Sequence, residues 1–194
     1  MSELQDKIRK LRKLTSAGIM DCKKALEAAE HDMDEAVNIL RKKGIAKAEK
    51  KSDRDTKEGV VASYIHFNKR MGVLVEVLCE TDFVSRTEEF QKFADEIALH
   101  IAAIEPKFVS REDLDEEFIN NEKDIFTGQI EGKPADVVEK IVDGKLKKLY
   151  SQICLMDQSY FRDDKKSVSD FLKEHIAKFG ENIKISQFVM FEIK

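Results

Sequence analysis

The sequence predicts an α+β fold: an N-terminal three-helix unit, a linker, and a core in which a three-stranded antiparallel sheet is packed with helices. Three observations predict it. Residues 1–45 carry apolar side chains at helical spacing in three short stretches. Two runs rich in β-branched residues, 60–67 and 73–79, flank a polar turn. The chain then ends in a long apolar strand, 183–193, after further helical pattern. Residues 1–45 are thus one domain, 46–58 a basic linker, and 59–194 the α+β core.

The first helix places Leu4, Ile8, Leu11 and Leu14 on one face, and Thr15-Ser16-Ala17-Gly18 breaks it. The second carries Cys22, Ala25, Leu26 and Ala29, with Asp21 near its start. The third begins near Asp32 with Glu35 three positions on, and Gly44 is expected as its C-terminal cap. The linker is crowded with charge and has no core face. Its cations Lys47, Lys50, Lys51 and Arg54 suit a solvated, partly helical segment better than an RNA contact.

The hairpin turn is Asn68-Lys69-Arg70-Met71-Gly72. After the second strand, Ser85-Arg86-Thr87-Glu88 fits a capping box for a helix carrying Phe90, Phe93, Ala94, Ile97, Ala98 and Ile101, which stops before Pro106. Ser110 opens an acidic helix with Leu114, Phe118 and Ile125 on one side. Gly132-Lys133-Pro134 separates it from a helix with Val137, Val138, Ile141 and Val142, which continues or restarts after Gly144. Residues 156–166 read as a polar loop. A last helix with Val168, Phe171, Leu172 and Ile176 closes at Gly180. In the final strand the alternation slips near Phe188, where a bulge is expected.

Composition narrows the function classes. The chain has 194 residues, 42% of them hydrophobic, so a packed core is expected. Charged residues make up 37%, but the net charge is only -4, which argues against a chain built to coat nucleic acid. No apolar run suits a membrane span, and the N-terminal residues have no apolar signal core, so a cytoplasmic protein is expected. Cys22, Cys79 and Cys154 are far apart and lack zinc-ligand spacing; they read as reduced, buried residues.

Catalytic patterns are missing. There is no phosphate-binding glycine loop, no Gly-x-Ser-x-Gly and no His-Glu-x-x-His. His66 and Cys79 would form a nucleophilic pair only if they faced each other across the hairpin. His100 and His175 lie on apolar helix faces and read as packing residues. The acid clusters Glu88-Glu89 and Asp115-Glu116-Glu117 read as solvated helix faces.

Two features remain. Thr81-Asp82-Phe83-Val84 sits on a short corner between a strand and a helix, with an aromatic residue beside an acid. Phe83 either caps the local core or is presented to a partner, and the pattern alone favours the core. Ile19-Met20 adjoins the first interhelical turn and is either core or an apolar contact patch.

These residues carry a resemblance. The run from Leu11 to Leu26, with Leu14-Thr15-Ser16-Ala17-Gly18-Ile19-Met20-Asp21-Cys22 at its centre, resembles the signature of the elongation factor Ts family. So does Cys79-Glu80-Thr81-Asp82-Phe83-Val84, and Gly132-Lys133-Pro134 and Gly180-Glu181-Asn182-Ile183 resemble further motifs of it. The resemblance implies a nucleotide exchange factor for the GTPase elongation factor Tu, not an enzyme, with no cofactor of its own. It implies that the three-helix unit is of the ubiquitin-associated type. Leu11, Ile19 and Met20 would then dock on the partner's GTP-binding domain, while Thr81, Asp82, Phe83 and Val84 would dislocate its Mg²⁺, with Phe83 as the wedge. The single core unit resembles the short form of the family, which implies a homodimer and a 2:2 complex, with no membrane and no direct nucleic-acid contact. The alternative from another class is a non-catalytic module that binds protein or RNA.

Overall fold

The computed structural model describes residues 3–15, 17–130 and 134–193; Ser16, Gly132 and Lys133, used in the readings above, lie outside the described residues. Among the described residues there are eight α-helices, a three-stranded sheet and a two-stranded ribbon. Contacts divide the chain into two compact units. The first takes the chain up to Val60 together with Val77–Phe93 and Asp170–Lys184; the second takes Val61–Glu76, Ala94–Ser169 and the chain from Ile185 onward.

In the first unit, α1 (Glu3–Thr15), α2 (Ile19–Ala28) and α3 (Met33–Glu49) surround a core of Leu11, Cys22, Ala25, Leu26, Ala36 and Leu40. Asp32 starts α3 as expected: its carboxylate accepts the Glu35 amide at 2.7 Å, which satisfies a free first-turn donor. Gly44 does not end α3. The helix runs on to Glu49, and a β-carbon at Gly44 would lie 3.3 Å from the methyl of Ala177. The missing side chain therefore serves the approach of α3 to α8 (Val168–Phe179) and not a cap. The ion pairs of Arg41 with Asp170 (3.7 Å) and Glu174 (3.3 Å), and of Lys173 with Glu49 (3.2 Å), join the same two helices.

The sheet has the order β1-β2-β5, from β1 (Glu58–Ile65), β2 (Met71–Cys79) and β5 (Ile183–Glu192). The hairpin is closed by the His66 amide on Met71 O at 2.9 Å, with Lys69 at φ +57° in the turn. At one end of β5 the Asn182 amide meets Glu80, and at the other the Ile193 amide meets Arg70 O, so β5 runs antiparallel to β2. Strand alternation buries Ala62, Val73, Val75 and Val77 and turns Val61, Ile65 and Leu74 outward. On β5 the buried parity changes after Ile185 rather than at Phe188: Ile183 and Ile185 are buried, Val189 and Phe191 exposed.

The helix with the strong apolar repeat is α5 (Glu88–Ile104), whose Phe90, Phe93, Ala94, Ile97, Ala98 and Ile101 are buried. In the second unit, Ser110 and Asp113 do form a reciprocal box, but around a short 3-10 turn, Arg111–Asp113. The acidic helix α6 (Glu116–Gly128) starts after it, because Leu114 leaves the helical path to enter a small core with Ile153 and Cys154. Helix α7 (Ala135–Ile153) passes through Gly144 without a break.

Residues 156–166 are not a loop. They contain the ribbon of β3 (Ser159–Tyr160) and β4 (Asp163–Ser167). The polar sequence hides an inward row: Gln158 and Tyr160 are buried, and His100 binds Gln158 at 3.0 Å while Tyr160 donates to Glu96 at 2.7 Å. Polar side chains whose hydrogen bonds are satisfied can be buried, which hydropathy alone cannot anticipate. Among the described residues, no helix is long and apolar enough to cross a membrane.

Candidate partner-binding site

Thr81 to Val84 lie in the first unit, where β2 gives way to α5. They are more ordered than a corner: Asp82–Ser85 form a single helical turn, α4, with Thr81 at its N-cap position. The capping box expected at Ser85 is absent. Ser85 is buried and donates to Asp82 O at 3.1 Å, closing α4. Thr87 starts α5 instead, accepting the Phe90 amide at 3.2 Å while donating to Val84 O at 2.8 Å. One threonine thus stitches the end of α4 to the beginning of α5. Asp82 sits in the first turn, where the helix dipole favours an acid, and pairs with Arg86 at 3.0 Å.

Phe83 is 82% exposed on this turn. The core reading is therefore wrong. A four-residue helix shows the ring outward because Ser85 takes the inward position. An aromatic side chain left in water is worth explaining when its backbone is this well tied.

The ties on the strand side come from two carboxylates. Glu181 accepts the Thr81 amide at 3.0 Å and the Thr81 hydroxyl at 2.6 Å. Glu80 accepts the Asn182 amide at 2.6 Å and pairs with Arg54 at 3.4 Å. The Asn182 side-chain amide donates to Ser52 O at 3.1 Å and Arg54 O at 2.8 Å, so the segment after α3 is tied in as well. Lys51 donates to Gly180 O, and Gly180 itself has φ +77°, a conformation that favours glycine at the end of α8. Lys47 and Lys43 pair with Asp21 at 2.8 and 2.6 Å, and hold its carboxyl down at about 2, Lys43 contributing most. Lys47, Lys51 and Arg54, three of the four cations considered for RNA, therefore have partners within the protein.

Cys79 and His66 do not meet. The Cys79 thiol donates to Thr81 O at 3.2 Å, whereas His66 contacts Tyr64 at 3.0 Å. Burial pushes the Cys79 thiol up to about 11, so it is protonated at neutral pH and a poor nucleophile. All three cysteines are buried and free.

The second expected patch divides. Ile19 and Met20, on the first turn of α2, are 55% and 62% exposed. Leu11 is fully buried in the three-helix core and is not part of the exposed surface. Leu14, one turn further along α1, is 71% exposed and takes the surface position that helical periodicity had assigned to the core. Sequence reasoning missed the contact of Glu181 with Thr81 and the exposure of Leu14. The only available signals were the Gly180-Glu181-Asn182 motif and the place of Leu14 beside the turn.

The sequence matches the family model described as elongation factor TS over residues 2–194. The chain belongs to the elongation factor Ts family. It is 54% identical over 193 residues to the elongation factor Ts of Thermotoga neapolitana, covering 100% of this chain and 98% of that one. Similarity extends to elongation factor Ts of Caldanaerobacter subterraneus, 52% identical over 187 residues, covering 95% and 94% of the two chains. The elongation factor Ts of Thermodesulfovibrio yellowstonii is 49% identical over 187 residues, covering 96% and 94%. As a member of the elongation factor Ts family the chain has a role in translation elongation, a part of protein biosynthesis.

Proposed function

We propose that this chain is the guanine nucleotide exchange factor of elongation factor Tu. It binds the GDP-loaded GTPase, disturbs the Mg²⁺ site and speeds GDP release so that GTP can bind. The observation that carries this reading is the exposure of Phe83 on a helical turn tied at both ends. Thr81 and Val84 supply the ties, Asp82 adds a negative charge beside the ring, and Phe83 is the wedge. Displacing Mg²⁺ removes charge compensation from the phosphates, and the nucleotide is then held less tightly.

The role requires no chemical step by this chain. An exchange factor must favour the nucleotide-free state of its partner, and the factor by which it weakens GDP binding equals that by which GDP weakens its own. A rigid apolar wedge provides such a difference; a polar loop free to rearrange would not. Metal and nucleotide belong to the partner. In this reading residues 1–45 form the ubiquitin-associated-like docking unit, which presents Ile19 and Met20, 46–58 link it, and 59–194 form the core and dimerisation domain of a cytoplasmic protein.

We also propose a homodimer. The outward face of the sheet carries Val61, Ile65, Leu74, Val189 and Phe191, all exposed, and β5 is an edge strand. An apolar sheet face and an open edge both favour a covering layer, and a second copy provides one. Light scattering should give a dimer at micromolar concentration and a monomer for Phe191→Asp; a wild-type monomer would overturn this.

The exchange reading is tested by release of labelled GDP from elongation factor Tu. The protein should accelerate release strongly, and Phe83→Ala should lose most of that effect while still binding. Stable binding with no acceleration would instead mark a simple interaction module.

A further inference from the structure

We propose that Glu181 is the positioning residue of the exchange turn: its carboxylate, which accepts from both donors of Thr81, sets the direction in which Phe83 is presented. The proposal rests on the exchange reading above and deepens it.

The turn α4 has only four residues, too few to hold its own shape, since short helices depend on their surroundings. At an N-cap, threonine ordinarily turns its hydroxyl inward to accept a first-turn amide. Thr81 occupies that position with φ -129° and ψ 154° but makes no such cap. Its hydroxyl points the other way and donates to Glu181 at 2.6 Å, while its amide donates to the second oxygen of the same carboxylate at 3.0 Å. Two donors on one residue and two acceptors on one planar group restrict their mutual orientation. Hydrogen bonds to a charged acceptor are also the stronger kind.

The carboxylate can impose that orientation because Glu181 is itself held. On one side Gly180 has φ +77° and its carbonyl receives Lys51. On the other, the Asn182 amide donates to Glu80 at 2.6 Å and its side chain to Ser52 O and Arg54 O. The arrangement is reciprocal: Glu80 precedes Thr81 and holds Asn182, while Glu181 precedes Asn182 and holds Thr81. Each strand end supplies a carboxylate to the backbone of the other. The Phe83 ring makes none of these contacts, so the device fixes the turn and leaves the ring free.

Such a residue should govern the maximal rate and not the docking affinity. GDP release from elongation factor Tu is measured over a range of factor concentrations. Glu181→Gln, which puts an amide NH₂ against one Thr81 donor, should lower the maximal rate about tenfold while the half-saturating concentration changes by less than about twofold. Thr81→Val removes one of the two donors and should resemble Glu181→Gln. The double variant Thr81→Val with Glu181→Gln should be no worse than either alone, because both remove the same contact. Additive losses, a normal maximal rate in Glu181→Gln, or a loss matched by the unfolded fraction on melting would overturn the proposal. Failure of the wild type to release GDP would sink the exchange reading instead. The positioning claim then still stands or falls on amide exchange: the Thr81 N–H should lose protection about tenfold in Glu181→Gln, and unchanged protection rejects it.

Discussion

Thr81 gives both of its hydrogen-bond donors to Glu181, a residue a hundred positions away in the chain. This contact lets a four-residue turn hold an aromatic ring in water. The turn is held by Thr81, Ser85 and Thr87 and not by the Phe83 ring.

Phe83→Ala should therefore leave the fold intact. With the ring 82% exposed, the change in unfolding free energy is expected within about 0.5 kcal/mol. Denaturant titration beside the GDP-release assay checks both halves of the claim. A variant that loses exchange because it unfolds would count against a wedge.

Substitutions at Gly44 should separate two effects. Alanine gains about 1 kcal/mol in helix propensity, but its β-carbon meets the Ala177 methyl at 3.3 Å, so Gly44→Ala should be nearly neutral. Gly44→Leu adds volume that cannot be placed there and should cost about 1–3 kcal/mol. Thermal melts of the two variants decide it. A stabilised Gly44→Leu would show that the approach of α3 to α8 is unimportant.

The Asp21 carboxyl is depressed from 3.8 to about 2, first by Lys43 and then by Lys47. Its folded value lies below its unfolded one, so its contribution is complete above the ordinary carboxylate range. It fades as pH falls from 3.8 toward 2. The group is partly exposed, which limits the effect. Asp21→Asn should cost about 1 kcal/mol or less at neutral pH, and less again in high salt. Stability measured against pH for both proteins should show the curves converging in acid.

His100 works in the same direction from the opposite kind of group. Burial lowers its basicity below the usual 6.5, and the Gln158 hydrogen bond opposes this only in part. Its Nδ1 receives the Phe161 amide at 3.3 Å, an acceptor role that protonation abolishes. Gln158 and Tyr160 lie against His100, and Tyr160 donates to Glu96, which pairs with Arg162 at 3.9 Å. The unfolded chain binds the proton more readily, so wild-type stability should fall as pH drops below 6.5. His100→Gln should be less stable at pH 7 by about 1–3 kcal/mol but should lack that slope. Parallel slopes in the two proteins would rule the histidine out as the source.

Much of this was legible in the sequence. Helical spacing located α1, α2, α5 and α8, and β-branched runs located β1, β2 and β5, because burial of one face imposes a period on any element. The Asp32 cap was legible because it depends on residues three apart. The long motifs were enough to indicate the elongation factor Ts family, and the match over residues 2–194 bears that out. What failed depended on distant neighbours. Gly44 looked like a cap because nothing local shows Ala177 beside it. The ribbon at 159–167 looked like a loop because His100 and Glu96, the partners of its buried polar groups, are about sixty residues earlier. Leu14 looked like core and Phe83 looked more like core than site, since periodicity gives a face but not what covers it. The sequence by itself determined most of the helices and strands and which family the chain belongs to. Tertiary structure alone decided that Phe83 stands in solvent and that Glu181 holds the turn beneath it, because exposure and hydrogen bonding are settled by residues brought together from opposite ends of the core.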